Sequence, residues 1–209
     1  MKLTKYNHAC LTIEINHTNL IVDPGNLSSD FIAPENVTAV VITHFHPDHL
    51  DHERLAEIFD KNDDVLVIGP ADVIATIEAV NKRVALPGDC ITVGDFDLEF
   101  FGGDHAVIHH SLTRAQNLGV MINSLLYYPG DSFAQPNQVV DTLALPVSAP
   151  WLKISEAIDF LGSINPRLAF PTHDAILSDE GRLIVDRVIG NYATEHNLVY
   201  ERLSDSIEI

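Results

Sequence analysis

The alternation of apolar and polar residues in the first part of the chain predicts short β-strands. The expected strands cover residues 2–7, 10–15 and 19–22. Leu11, Ile13 and Ile15 alternate with polar residues, and a period of two places one face of a strand against a core. The third strand ends at Asp23-Pro24-Gly25, a turn-forming sequence. An opening β-meander follows from this pattern.

The next segment alternates strands with helices. Strands are expected at 39–42 and 65–68, and a helix is expected around 71–80. Between the two strands, Leu50, Leu55, Ile58 and Phe59 recur at helical spacing, which predicts a helix with one apolar face.

A second strand-rich block and further β–α alternation complete the chain. Strands are expected at 84–86, 91–93, 96–101 and 118–128, then at 143–147 and 167–170. A helix carrying Ile154, Ala157 and Leu161 on one face is expected to stop at Asn165-Pro166. Ser178 is a good helix N-cap and opens a last helix to about residue 190.

Composition mainly excludes classes of protein. The 209 residues can bury one sizeable core, and no linker divides them, so one domain over residues 1–209 is expected. The 30 acidic and 12 basic residues give a formal charge of −18, which opposes binding to nucleic acid phosphates. The absence of a long apolar segment predicts a cytoplasmic protein with no membrane partner. Whether the chain forms a homo-oligomer is left open by the sequence.

The two cysteines carry no pattern of their own. Cys10 and Cys90 lie far apart in unrelated segments, without the close spacing of a metal clamp or a disulfide framework. They are predicted to be reduced thiols in the core.

The candidate chemistry is concentrated in Thr43-His44-Phe45-His46-Pro47-Asp48-His49. Four potential metal ligands fall within six residues, directly after the apolar strand at 39–42. Side chains that follow a buried strand can converge above the edge of the sheet. Imidazole suits zinc and other divalent transition metals, and an adjacent carboxylate suits a second ion. The motif predicts a metal site with room for two ions.

Three later strand ends provide further candidate ligands. They are Gly102-Gly103-Asp104-His105, Pro129-Gly130-Asp131-Ser132 and Pro171-Thr172-His173-Asp174. Each is a weak signal alone, because an Asp after a Gly is more often a turn residue than a ligand. His109 and His110 follow His105 closely and are alternatives to it, although His105 comes directly after the glycine turn.

The run from His44 to His49 resembles the signature of the metallo-β-lactamase-fold superfamily, and the resemblance covers nearly the whole chain. It implies an α/β fold, specifically a four-layer αββα sandwich with two packed sheets and helices outside. The segments around His8, Asp131 and His173 are similar to a small bacterial branch of metal-dependent hydrolases, which includes the ascorbate-6-phosphate lactonase.

The resemblance also implies two divalent metal ions, zinc before manganese or iron. Carried over position by position, His44, His46 and His105 would hold one ion, and Asp48, His49 and His173 would hold the other, with Asp131 bridging.

Other residues are predicted to contact a small-molecule substrate. His8 resembles a histidine that lies near the metal centre of relatives, either against the substrate or against a ligand. Trp151 follows the strand at 143–147 and is expected to form a wall of the pocket. Arg114 is the main candidate to hold a phosphate group, with Lys153 next.

The ligand set predicts a hydrolase. A hydroxide shared by two ions would attack a small ester, lactone or phosphodiester, with Asp48 orienting it and Asp131 bridging the ions. The alternative is a protein that binds metal or a metabolite as a sensor, without turnover.

Overall fold

The computed structural model describes residues 1–79, 81–204 and 206–209, which form two seven-stranded sheets with helices on their outer faces. The first sheet contains β1 (Lys2–Lys5), β2 (Leu11–Ile15), β3 (Thr18–Val22), β4 (Val37–Val41), β5 (Leu66–Gly69), β6 (Lys82–Val84) and, beside β1 at its edge, β14 (Ile207–Glu208). The second contains β7 (Cys90–Val93), β8 (Phe96–Asp104), β9 (Gln116–Ile122), β10 (Leu126–Tyr128), β11 (Thr142–Pro146), β12 (Leu168–Thr172) and β13 (Val199–Tyr200), in that order across the sheet. The helices are α1 (His52–Phe59), α2 (Ala71–Ile74), α3 (Ile154–Ile164) and α4 (Asp179–Glu195).

Three apolar clusters fill the spaces between the four layers of the fold, which are the two sheets and the helices outside each sheet. Alternation along β3 sends Leu20 and Val22 into the space between the sheets, where they join a cluster that includes Phe100 of β8. Ile21 points the other way, into the cluster beneath α1. A third cluster packs the outer face of the second sheet against α3 and α4, with Leu143 among its members. The predicted αββα sandwich is confirmed.

Strand direction places several strand ends at one edge. β3, β4 and β5 are parallel to one another in the first sheet. In the second sheet β8, β10, β11 and β12 share one direction, because β9 runs antiparallel to β8 and β10. The backbone N–H of Leu118 donates to the carbonyl of Thr43 (3.0 Å), which joins the two sheets at this edge. The loops that follow these strands therefore meet.

Helix ends agree with the predicted caps. The Ser178 hydroxyl accepts from the N–H of Gly181 at the start of α4 (3.1 Å), and Asn165 ends α3 with φ 51°. α4 continues past the predicted end at residue 190, because Ile189 and Ala193 prolong its buried stripe to Glu195. No helix in the described ranges is long and apolar enough to cross a membrane.

Several predicted elements are wrong in detail. The single strand expected at 118–128 is the hairpin of β9 and β10, because Asn123 and Ser124 adopt positive φ angles of 50° and 54° and turn the chain. α2 ends at Ile74, well short of residue 80, which lies outside the described residues. The two-residue strands β13 and β14 had no recognisable pattern.

The two cysteines differ from each other. Cys10 is buried, as predicted. Cys90 is exposed, because β7 is the edge strand of its sheet and Cys90 begins it, so its prediction as a core thiol is wrong.

Candidate metal centre

All seven predicted metal-binding residues lie together at the shared edge of the two sheets. His44, His46, Asp48 and His49 follow β4, His105 follows β8, Asp131 follows β10, and His173 follows β12. Five of the seven are almost completely buried, and His46 and Asp48 are the partly exposed ones. The centre is therefore reached from solvent on the side of His46 and Asp48.

The first group of ligands consists of three histidines. A ring nitrogen of each of His44, His46 and His105 lies within 4.8 Å of those of the other two. Burial, assisted by the neighbouring imidazoles, lowers the pKa of His44 well below its usual value and also lowers the pKa of His46. Both side chains are therefore neutral near pH 7, which is the form that binds a metal ion.

The second group consists of Asp48, His49 and His173, and carboxylates lie close to its two histidines. His173 Nε2 lies 3.2 Å from Asp48 Oδ2, and His49 Nε2 lies 3.9 Å from the same oxygen. Burial alone would lower the pKa of His173, but Asp131 and Asp48 outweigh it and raise that pKa to about 9. Asp131 and Asp23 likewise raise the pKa of His49 against the effect of burial. Without an ion, protons balance these carboxylates.

Asp131 lies between the two groups. Its Oδ2 is 3.3 Å from His105 Nε2 in the first group and 3.2 Å from His173 Nε2 in the second. Its Oδ1 is 3.3 Å from His49 Nε2. One carboxylate thus faces ligands of both groups, as a bridging ligand must.

Buried polar atoms that lack a hydrogen-bond partner lie at this edge, and their chemistry suits a cation. Among the described residues, six buried side-chain polar atoms have no hydrogen-bond partner. One is Thr12 Oγ1, and the other five are Nε2 of His44, His49, His105 and His173 and Oδ1 of Asp131. Buried polar atoms are almost always paired, so five unpaired atoms at one place require an explanation. Metal ions at this centre would satisfy all five.

Hydrogen bonds on the far side of each ring fix which nitrogen faces the centre. The Nδ1–H of His44 donates to Thr43 Oγ1 (3.0 Å), and that of His49 donates to Asp23 Oδ2 (2.6 Å). The Nδ1–H of His105 donates to the Ala106 carbonyl (2.6 Å), and that of His173 donates to the Ser148 carbonyl (2.5 Å). With Nδ1 protonated in each ring, Nε2 faces the centre, and it offers a lone pair to a metal ion when the ring is neutral.

Asp23 was missed by the sequence analysis, which interpreted it as a turn residue. It is fully buried, and its Oδ1 and Oδ2 accept from the backbone N–H and the hydroxyl of Thr43 at 2.7 and 2.6 Å. Its position directly after the strand β3 was the available signal. Although Asp23 also lies close to His44 and His49 in a grouping that could hold an ion, its oxygens already accept three hydrogen bonds. It is better suited to orient His49.

Asn117 was missed as well, and it orients Asp131. Its Oδ1 accepts from the backbone N–H of Asp131 (2.9 Å), and its Nδ2 donates to the carbonyl of Pro129 (2.9 Å). A Cβ at Gly130, where φ is 62°, would lie 2.5 Å from Asn117 Oδ1. Glycine is therefore needed beside Asp131, which no sequence pattern indicated.

His8 contacts the centre in the opposite tautomer. The backbone N–H of Ala175 donates to His8 Nδ1 (3.3 Å), so the neutral ring carries its proton on Nε2. His8 Nε2–H then donates to Asp48 Oδ2 (3.0 Å). A protonated Nε2 has no lone pair for a metal ion, so His8 is suited to hold Asp48 in place although it lies within the second group.

Trp151 lies against the carboxylate of Asp131. Its Nε1–H donates to Asp131 Oδ2 (2.8 Å), and its ring lies 6.2 Å from the ring of His105 and 5.1 Å from that of Phe133. The hydrogen bond was not foreseen, and the role of Trp151 as a wall of the substrate pocket stays a prediction.

The remaining candidates lie farther out. His109 and His110 are exposed with rings 4.0 Å apart, and His109 Nδ1 is bonded to Ser111 Oγ. Arg114 Nε donates to the carbonyl of His105, and its Nη1 lies 3.2 Å from Asp104 Oδ2. Lys153 is exposed at the start of α3.

Comparisons with known proteins identify the family of the chain. A family model described as a β-lactamase superfamily domain matches residues 2–173. The chain belongs to this superfamily. Protein Rv0786c of Mycobacterium tuberculosis is 35% identical over 187 residues, which cover 87% of this chain and 88% of that protein.

Two further proteins, one compared by sequence and one by structure, are similar to this chain. The UPF0173 metal-dependent hydrolase MJ1163 of Methanocaldococcus jannaschii is 26% identical over 82% of this chain and 83% of its own. The structure of Igni18, a metallo hydrolase from Ignicoccus hospitalis, superposes with a TM-score of 0.76 at 16% identity, over 100% of this chain and 98% of that one. The resemblance to the ascorbate-6-phosphate lactonase stays a prediction.

Proposed function

We propose that this metal-dependent hydrolase of the β-lactamase superfamily binds two divalent ions, zinc before manganese or iron, and cleaves a small ester, lactone or phosphodiester. His44, His46 and His105 would hold one ion, and Asp48, His49 and His173 the other, with Asp131 shared. When bound, the ions make hydroxide available near neutral pH and polarise the oxygen of the group under attack.

One observation carries the proposal. Four imidazole Nε2 atoms and one carboxylate oxygen, all buried, point at the same space without a hydrogen-bond partner among the described residues. Leaving polar groups in that state is costly, and proteins retain such arrangements where a ligand compensates them. Nitrogen and carboxylate donors in this proportion suit zinc and similar transition metals.

The protein side chains would position the reacting groups. His8 Nε2–H holds one oxygen of Asp48, whose side chain is 25% exposed and faces the opening of the centre. Trp151 Nε1–H holds Asp131 Oδ2. With both carboxylates oriented by donors from the protein, a nucleophile bound between them would keep one direction of attack. No serine or cysteine nucleophile is required.

A substrate panel tests the proposal. Protein purified without chelator is assayed on chromogenic esters, lactones and bis-phosphodiesters, then after treatment with chelator, then after zinc or manganese is restored. Turnover that disappears with chelator and returns with metal is the expected result. Tight metal binding with no turnover on any member of the panel would favour the sensor instead.

A further inference from the structure

A cavity of about 250 Å³ opens directly beside the first group of ligands. His46 and His105 line it on the side of the candidate ligands, and residues 106–110 and 112–115 of the following loop line the rest. This volume is close to the lower end of small-molecule pockets, roughly 300 Å³. The cavity is therefore large enough for one small group of a substrate whose reacting atoms lie at the metal centre.

The loop is attached to the metal centre at its base. The backbone N–H of Ala106 donates to the carbonyl of Asp131 (2.8 Å), and the N–H of His105 donates to the carbonyl of Ala115 (3.1 Å). The side chain of Arg114 crosses the base and donates to the carbonyl of His105. The two ends of the loop are thus hydrogen-bonded to His105 and Asp131.

Three apolar side chains of the wall are exposed to solvent, beside the exposed His109 and His110. Val107, Ile108 and Leu112 line the cavity and are 58%, 40% and 57% exposed. Apolar side chains clustered around an opening mark a surface that binds something apolar.

The charged group in the wall is already paired. Arg114 Nη1 lies 3.2 Å from Asp104 Oδ2, and Arg114 Nε is bonded to a backbone carbonyl. The chain as a whole carries a formal charge of −18. The Arg114 guanidinium, which lines the cavity, is thus already paired with Asp104, and the chain as a whole is acidic, so neither feature favours an anionic group there.

We propose that this cavity is the subsite for an uncharged apolar group of the substrate, a short alkyl chain or an aromatic ring attached to an ester or lactone. This deepens the proposed function and rests on it. Among the three substrate classes above, it selects carboxylic esters and lactones with an apolar substituent over phosphodiesters and phosphorylated lactones.

A series of esters with increasing acyl chain length tests the subsite. With p-nitrophenyl esters from acetate to octanoate, kcat/KM is expected to rise by about fourfold for each methylene buried, and to level off once the cavity is full. Leu112→Asp places a charge in the wall and should flatten the rise. Val139→Asp is the matched control, because Val139 is 88% exposed and lies outside the cavity.

A binding experiment separates this proposal from the proposed function. 1-Octanol, which is not a substrate, is titrated into the purified protein and followed by saturation-transfer NMR. Binding that Leu112→Asp abolishes and Val139→Asp preserves supports the subsite even if no ester is hydrolysed. Hydrolysis with no dependence on chain length, or equal behaviour of the two variants, would overturn the subsite and leave the hydrolase standing. Faster turnover of bis-p-nitrophenyl phosphate than of every ester would also overturn it.

Discussion

The two groups of ligands in the metal centre use similar residues under different electrostatic conditions. In the first, burial keeps the pKa of His44 and His46 low, so these rings are ready to bind an ion. In the second, carboxylates raise the pKa of His49 and His173, so an arriving ion must displace protons. The first group depends on imidazole lone pairs, whereas the second depends on negative charge. Because Asp131 faces both groups, its substitution should weaken metal binding by both. A substitution in one group should weaken metal binding by that group alone.

The largest expected effect comes from Asp131→Asn, which removes charge from both groups at once. Hydrolysis should fall by at least about a hundredfold, and bound metal should be lost first from the second group, where carboxylates supply more of the binding. Metal analysis and kinetics measure this, with circular dichroism to check the fold. Asp141→Asn, at an exposed pair with Arg167, is the control. An Asp131 variant that keeps its metal and its turnover would reduce Asp131 to a turn residue.

His105→Ala should affect the first group alone. Bound metal is expected to fall by about one ion per chain, because only His44 and His46 would be left beside Asp131. Elemental analysis of the purified variant measures the loss. His109→Ala and His110→Ala are the controls, since both side chains are exposed in the cavity wall. A greater loss of metal in either of these variants would identify His109 or His110, instead of His105, as the third histidine ligand.

Asp23→Asn should act on the second group through His49. The single oxygen of an amide cannot accept all three hydrogen bonds that the carboxylate accepts from Thr43 and His49, and the amide carries no charge, so the His49 ring loses part of its orientation and basicity. Affinity for the ion of the second group should fall by about 10- to 100-fold. Competition with a chelating dye measures this affinity. Asp51→Asn is the matched control, because Asp51 caps α1 and asparagine caps equally well. Equal affinities in the two variants would contradict the role given to Asp23.

His8→Asn should give the smallest effect. It removes the donor to Asp48 and keeps a residue that tolerates the φ of 65° found at His8. We expect kcat to fall by about tenfold while metal content stays unchanged. His17→Asn makes the same substitution at the same φ in an exposed turn, and should be silent. Loss of an ion in the His8 variant would show that His8 is itself a ligand.

Much of the centre could be predicted because its ligands follow strands that carry their own apolar signal. His44 to His49 follow β4 directly, and His173 follows β12. Parallel strands end at one edge of each sheet. These two edges meet at the hydrogen bond from Leu118 to Thr43, so residues more than a hundred positions apart lie together. The fold followed from the same strands together with the superfamily resemblance.

The residues that were missed act through contacts rather than through patterns. Asp23 looked like a turn residue because the sequence does not show that β3 lies beside β4. Asn117 lies inside β9 as one polar residue among buried ones, and only the pairing of β8, β9 and β10 brings it to Asp131. The turn at Asn123 and Ser124 was overlooked because apolar residues flank it on both sides.

The central claim is that two ions occupy this edge with Asp131 between them. Anomalous diffraction from crystals of zinc-loaded protein tests it most directly. The account predicts two peaks about 3.5–4 Å apart, one within bonding distance of His44, His46 and His105 and the other of Asp48, His49 and His173, with Asp131 touching both. A single peak, or a pair of peaks that Asp131 does not join, would contradict it.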